Sequence, residues 1–321
     1  MGKRYRPSDL SRVRTYPLSE RENKLTVEQC GSPHESGSSV REFLSRLPRV
    51  LGADSLRSVA DGIVSSRRNG RPVVMMLGAH VVKCGLGPVV VDLIERRVVT
   101  AVATNGAGTI HDFEMALIGG TSEDVAGTID DGRFGMAHET GKLMNEAIRK
   151  GAAEGSGMGE ALGRAIVEGA FPHRDTSVLA QAYRSGVPVT VHVAIGTDII
   201  HQHPSADGAA IGATSQTDFQ LLVSVISDLE GGVVINLGSA VMLPEVFLKA
   251  LSVARNLGHT VRKFVAVDMD MIAHYRPRVN VLERPTQSGG EAYRLIGHHE
   301  IMLPLLAAAV IETMGDETFD R

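Results

Sequence analysis

The 321-residue sequence has no tryptophan and only 4 % aromatic residues, so its core has to be filled by Val, Leu, Ile and Ala. It has just two cysteines, Cys30 and Cys84, far apart and without metal-ligand spacing. A disulfide framework is thereby excluded, and a reducing compartment, the cytoplasm, is expected. No stretch reaches the length of a membrane span, and the basic opening MGKRYRPSDLSRVRTYPLSERE lacks the apolar run of a secretory signal. A large charge of either sign is also missing. The net charge of −4 gives no electrostatic reason to expect nucleic acid, which leaves a small molecule as the expected partner. Neither HExxH nor a strict GxGxxG after the first expected strand is present, which argues against an ordinary zinc hydrolase helix and an ordinary dehydrogenase fingerprint.

What the chain has in plenty is glycine, 35 residues, and short apolar runs that end on it. Residues 1–40 read as an N-terminal arm, flexible or embracing another subunit, and residues 41–321 as one α/β catalytic domain. Five runs read as buried strands: RPVVMML, TAVAT, VPVTVHVAI, GGVVINL and KFVAVDM. Helical patterns such as GPVVVDLIERRVV, HDFEMALIG and LPEVFLKALSVARNLG lie between them. The order strand, glycine turn, helix predicts a Rossmann-like, mostly parallel sheet with helices on both faces. The glycine-rich segment 151–163 reads as a connector between halves.

Ligands of open α/β sheets bind beyond the carboxyl ends of the strands. The residues expected there are Gly78-Ala79-His80, Thr104-Asn105-Gly106, Gly196-Thr197-Asp198, Gly238-Ser239 and Asp268-Met269-Asp270. Small residues and glycines let a backbone approach phosphate closely, so the set suggests a nucleotide-sized ligand, although each glycine alone is also ordinary turn chemistry. A second signal is histidine: His111, His201, His203, His298 and His299, in company with Asp112, Glu114, Asp198 and Glu300. Gathered at strand ends they suit general acid/base work. An HxH pair on an extended segment offers the alternative of a metal-dependent hydrolase, and a nucleotide-binding protein without catalysis is a third possibility. Asp198 admits two readings, acceptor for a ribose hydroxyl pair or cap of the next helix.

In the stretches LGAHVVKCG, TNGAGTIHD, VAIGTDIIHQH, GGVVINLGSAVMLPEVFLKALSVARNLG and FVAVDMD, the sequence from about Pro72 to Val310 resembles the deoxyhypusine synthase-like superfamily. GAHVVKCGLGPVVVDLI with ATNGAGTIHDFEMALIGGTS is also similar to its relatives with NAD-dependent ornithine cyclodeaminase activity. The resemblance implies an NAD site formed by Ala79, His80, Lys83, Thr104, Asn105, Gly106, Asp198, Gly238, Ser239 and Asp268, with His298 and His299 as a further cofactor pair. Asp112 falls in the motif that serves cofactor and amine substrate, and His203 falls where the family has a substrate-binding aspartate.

One departure is plain. The family's synthase needs a late lysine to form a covalent imine, but the last lysine here is Lys263, and Met242, Leu243 and Pro244 stand where a lysine and paired histidines are expected. The implied activity is NAD-dependent, transient oxidation of a small amine or amino acid without that lysine. His111, Asp112, His203 or Glu291 would be the acid/base groups, with no bound metal. A homo-oligomer, dimer or tetramer, is expected.

Overall fold

The computed structural model describes residues 5–319; the first four residues of the expected arm and the last two of the chain lie outside the described residues. From Tyr5 to Ser39 the chain has only three short 3-10 turns and no buried residue. Helices α1 (Val40–Arg46) and α2 (Leu51–Arg68) follow, α1 opening on a capping box in which Ser39 and Glu42 satisfy each other's backbone N–H.

The strands are β1 (Val73–Leu77), β2 (Ala101–Asn105), β3 (Val189–His192), β4 (Val233–Leu237), β5 (Val265–Asp270) and β6 (Glu291–Ile296). Between β1 and β2 stand α3 (Ala79–Lys83) and α4 (Gly87–Glu95). The β2 to β3 crossover holds α5 (Gly106–Ile118), α6 (Val125–Thr128), α7 (His138–Glu154), α8 (Met158–Glu168) and α9 (Val178–Ser185). Then come α10 (Gly208–Ser227) before β4 and α11 (Met242–Asn256) before β5. The last crossover holds α12 (Tyr275–Pro277), a π-helical turn (Arg278–Glu283) and α13 (Arg284–Thr286), and α14 (His299–Met314) ends the fold.

All strand pairs are parallel and the order across the sheet is β3-β2-β1-β4-β5-β6. The order reverses at β1, where the chain returns to add β4 on its other side. Two-residue periodicity splits the sheet's side chains between two cores. Val73, Met75 and Leu77 pack with α2, α4, α5, α8 and α14, whereas Val74, Met76, Ala101, Ala103 and Val234 pack with α10 and α11.

The structure revises two expectations. β6 is a sixth strand that the apolar pattern missed, because it lies at the sheet edge with Glu291, Ala292 and Ile296 exposed. The glycine-rich segment 151–163 is no loose connector: a Cβ at Gly159 would stand 2.0 Å from the Val189 carbonyl oxygen and one at Gly151 would stand 2.5 Å from Ala161 Cβ. Those glycines let α7, α8 and β3 pack in contact. Among the described residues, no helix is long and apolar enough to cross a membrane.

Candidate active site at the carboxyl ends of the strands

A cavity of about 790 Å³ opens beyond the carboxyl ends of β2 and β3, between α5, residues 119–137 and the turn after β3. Its polar lining includes Lys83, His111, Glu114, Glu123, Glu139 and Asp198, and Ile110, Leu117 and Phe134 supply apolar wall. Four carboxylates therefore face one lysine.

Helix α5 decides which titratable groups reach the cavity. Asn105 caps it by accepting from the Gly108 N–H at 2.8 Å, and Gly119, at φ 73°, ends it in the left-handed conformation. Successive residues on a helix point about 100° apart, so His111 and Asp112 cannot share a face, while His111 and Glu114 do. His111 and Glu114 line the cavity. Asp112 turns inward, 2 % exposed, and accepts from the Ser177 hydroxyl at 2.5 Å and from the N–H groups of Val178 and Leu179 at 2.8 and 3.1 Å. The expectation that Asp112 serves as an acid/base group is corrected: its carboxylate is spent on the start of α9.

His111 Nδ1 lies 2.8 Å from Thr121 Oγ1, the Thr121 hydroxyl donates to Glu114 Oε2 at 2.6 Å, and the Thr140 hydroxyl donates to Glu114 Oε1 at 2.9 Å. Burial lowers the His111 pKa below the ordinary histidine value, the nearby Glu114 carboxylate opposing. The ring is thus neutral at neutral pH.

Asp198 lies at the seam between β3 and α5. It does not cap the turn that follows it; instead it packs on the start of α5, where burial raises its pKa while His201, Thr197 and the Ala107 N–H oppose. A Cβ at Gly106 would be 2.0 Å from Asp198 Oδ2, so the glycine there makes room for this carboxylate. His201 accepts from the Gly196 N–H at 3.1 Å, and its Nε2 is 3.7 Å from Asp198 Oδ2; neither of these last two atoms has a hydrogen-bond partner.

The second polar group lies beyond β4, β5 and β6. Sheet register sets Asn236, Asp268 and Arg294 abreast on these three strands. Asn236 donates to Asp268 Oδ1 at 2.9 Å, and Arg294 Nε stands 3.8 Å from Asp268 Oδ2, too far for a hydrogen bond. Burial raises the Asp268 pKa. Asp270 stands 3.7 Å from His299 Nε2 and 3.7 Å from His274 Nε2, and His80 lies edge-on to His299 with ring centroids 6.4 Å apart. Asp268 Oδ2, Arg294 Nε, His299 Nδ1 and Asn236 Oδ1 are buried without hydrogen-bond partners.

The remaining expected residues fall as follows. Thr104 donates to the Leu77 carbonyl at 2.9 Å and so ties β2 to β1. Ser239 accepts from the Leu243 N–H at 3.2 Å. Gly78 is required by packing, since a Cβ there would meet the Gly238 carbonyl oxygen at 2.0 Å. Ala79, His80 and Lys83 form α3, His80 and Lys83 being exposed. His298 is exposed at the start of α14, where its Nδ1 is 3.8 Å from Glu300. His203 Nε2–H donates to the Gly135 carbonyl at 2.8 Å, which fastens the outer wall of the cavity, while its Nδ1 packs against Gly141 of α7, where a Cβ would stand 2.1 Å away. Glu291 is a further correction, because it begins β6 and therefore lies at the opposite, amino end of the sheet, accepting from the Tyr293 hydroxyl.

The HxH pair also reads differently in three dimensions. Ile199–Gln202 is a 3-10 turn, not an extended segment, so His201 faces Asp198 while His203 faces Gly135. Among the described residues, no three or more His, Cys, Asp or Glu side chains are grouped to hold a metal ion. Thr121, Glu123, Glu139, Thr140 and Arg294 also belong to these sites, but no motif marks them in the sequence beyond the Thr-Ser-Glu run after Gly119-Gly120.

No protein-family model and no curated protein matches the sequence. Solved structures do match. ArgZ, an arginine dihydrolase from the ornithine–ammonia cycle in cyanobacteria, aligns with TM-score 0.51 and 17 % identity over 81 % of this chain and 33 % of its own. AgrE, solved as a ternary complex with ornithine and NAD+, aligns with TM-score 0.52 and 18 % identity over 84 % of this chain and 35 % of its own. The chain thus spans about a third of the length of these two proteins. A proposed deoxyhypusine synthase from Entamoeba histolytica aligns with TM-score 0.52 and 13 % identity over 90 % of this chain and 98 % of its own. At such identities the likeness is one of fold, and with its six-stranded parallel sheet flanked by helices the chain has the deoxyhypusine synthase-like fold.

Proposed function

We propose that the chain is an NAD-dependent enzyme that transiently oxidises a small amine or amino acid in the cavity beside α5. The observation that carries this reading is the lining: Glu114, Glu123, Glu139 and Asp198 against the single Lys83, with the neutral base His111 among them. Such a wall favours a cationic amine, and Lys83 offers a partner for a substrate carboxylate. Two further observations support it. The strand order 3-2-1-4-5-6 is that of dinucleotide-binding sheets, with the crevice at the β1/β4 reversal. A neighbour of the same fold, AgrE, was solved with ornithine and NAD+.

The chain's own groups fit a dinucleotide at the strand ends. Asp268, Arg294 and His299 keep buried polar atoms without partners on one side of the reversal and Asp198 does so on the other, as a site built to receive polar ligand groups requires. A bound nicotinamide supplies a hydride acceptor. The carboxylates hold the substrate ammonium in the cavity. His111 Nε2 takes one proton from that ammonium, the carbon bearing the nitrogen then releases its hydrogen with the electron pair, and an iminium remains. The apolar wall of Ile110, Leu117 and Phe134 limits water around the reacting carbon.

Calorimetric titration with NAD and NADP tests the first half, and a transient rise of reduced-nicotinamide absorbance, followed by rapid mixing at enzyme concentrations comparable to the cofactor across a panel of basic amines and amino acids, tests the second. Binding stabilises the fold by mass action, so a thermal shift accompanies it. No binding of either nucleotide at millimolar concentration would refute the proposal.

A further inference from the structure

The relay His111–Thr121–Glu114–Thr140 has one consistent arrangement of protons. A carboxylate offers only acceptors, so the two hydroxyls that touch Glu114 at 2.6 and 2.9 Å must both donate to it. Thr121 has a single hydroxyl proton, and Glu114 takes it. The 2.8 Å contact between Thr121 Oγ1 and His111 Nδ1 can then be a hydrogen bond only with Nδ1–H as donor. A neutral imidazole carries one proton, so Nε2 is left with its lone pair. Burial disfavours a charge on the ring, the Glu114 carboxylate opposes, and Lys83 and His80 add to the effect of burial.

From this geometry we infer that Thr121 is a positioning residue: it holds His111 as the Nδ1–H tautomer and leaves Nε2 as the proton acceptor of the cavity. The inference rests on the amine-oxidising reading only for the substrate on which the base acts. Thr121 touches the ring and not the reacting atoms. It belongs to residues 119–137, which also carry Glu123 and Phe134 of the lining, so the same hydroxyl joins this wall to α5 and, through Glu114 and Thr140, to α7.

The test is a long-range proton–nitrogen correlation spectrum of the imidazoles in ligand-free, nitrogen-15-labelled protein near neutral pH, with the His111 signals assigned by their loss in His111→Gln. Wild-type His111 is expected to show a protonated, pyrrole-like Nδ1 and an unprotonated, pyridine-like Nε2. In Thr121→Val the acceptor is gone and the pattern moves to Nε2–H or to an average of the two, while Thr121→Ser keeps the wild-type pattern. A wild-type ring protonated on Nε2 overturns the proposal, and so does an unaltered Nδ1–H pattern in Thr121→Val. Should Thr121→Val unfold, the wild-type spectrum still decides. Because no nucleotide or amine is present, a failure to bind NAD leaves this result untouched, and the two proposals fail separately. If turnover is found, Thr121→Val is expected to lower kcat tenfold or more with KM for the amine within about twofold, and Thr121→Ser to restore it.

Discussion

The two sides of the sheet's carboxyl edge are finished differently. On the β2–β3 side, most polar groups are paired inside the fold: Thr104 with Leu77, Asn105 with Gly108, Asp112 with the start of α9, and His111, Thr121, Glu114 and Thr140 with one another. On the β4–β6 side, Asn236, Asp268 and Arg294 stand abreast with atoms left without hydrogen-bond partners, and His299 behind them likewise. A buried unsatisfied group costs about 1–3 kcal/mol, so the second side is the one a polar ligand stabilises. A paired network fixes the aim of a reacting group, whereas unpaired groups wait to hold something. Asp198 and His201, beside the start of α5, are the exception on the β2–β3 side and share the second character.

The comparison can be broken at the seam itself. Gly78→Ala sets a Cβ against the Gly238 carbonyl and pushes β1 from β4, and we expect a loss of about 4 kcal/mol and a fall in melting temperature of roughly 10 °C. An unchanged melting temperature would mean that the seam is slack. Next is the paired side. Asp112→Ala strands the Ser177 hydroxyl and the N–H groups of Val178 and Leu179, which is expected to cost about 3 kcal/mol in denaturant unfolding. NAD affinity is expected to stay within twofold. A stable Asp112→Ala that loses nucleotide would return Asp112 to the site.

Two buried groups at β3 give a pH test of nearly the same size. Burial pushes Asp218 up to about 7 from 3.8, although it accepts from the Val191 and Gly159 N–H groups, so the folded state keeps a proton that the unfolded chain has lost. Its contribution to stability is present at low pH and is lost as pH rises from about 4 to about 7. Burial lowers His192 from 6.5 to about 4, so the unfolded chain takes the proton first; this contribution is present above about 6.5 and lost as pH falls toward about 4. The two slopes oppose each other, each worth about 2–3 kcal/mol over the window. Relative to the wild type, urea unfolding between pH 4 and 7 should therefore show a steeper fall in stability with rising pH in His192→Gln and the opposite change of slope in Asp218→Asn. Parallel curves in all three proteins would show that neither group titrates as its burial dictates.

The smallest expected effect sharpens the comparison most. Asp268→Asn should weaken NAD binding about tenfold, or 1.4 kcal/mol, with Arg294→Gln close to it, whereas Glu114→Gln should change amine dependence and leave NAD affinity alone. Equal losses of NAD affinity in all three would erase the distinction between a holding side and a reacting side.

How much of this was legible depended on which physical scale set each feature. β1 and β4 show in the sequence because a strand covered on both faces must be apolar at every position, as VVMML and VVINL nearly are. β6 does not, because an edge strand needs no such run. His111 and Asp112 are adjacent in sequence and equally eligible there; the packing of α9 against one face of α5 sends one to the cavity and the other into the core. Glu291 seemed close to the histidines that follow it, but a strand of six residues carries it to the far end of the sheet.

By itself the sequence determined the fold class, through the alternation of apolar strands with amphipathic helices, and the edge of the sheet at which polar groups gather, through the residues that close each strand. Only the tertiary structure decided which of those groups meet. Thr121 and Thr140 join Glu114 from 7 and 26 residues away, and Asn236, Asp268 and Arg294 come abreast only when three strands pair in register. Local spacing governs what a segment becomes, because backbone hydrogen bonds and side-chain periodicity act over a few residues. Proton positions and unpaired charges depend on contacts between segments, which the burial of two separate cores fixes all at once.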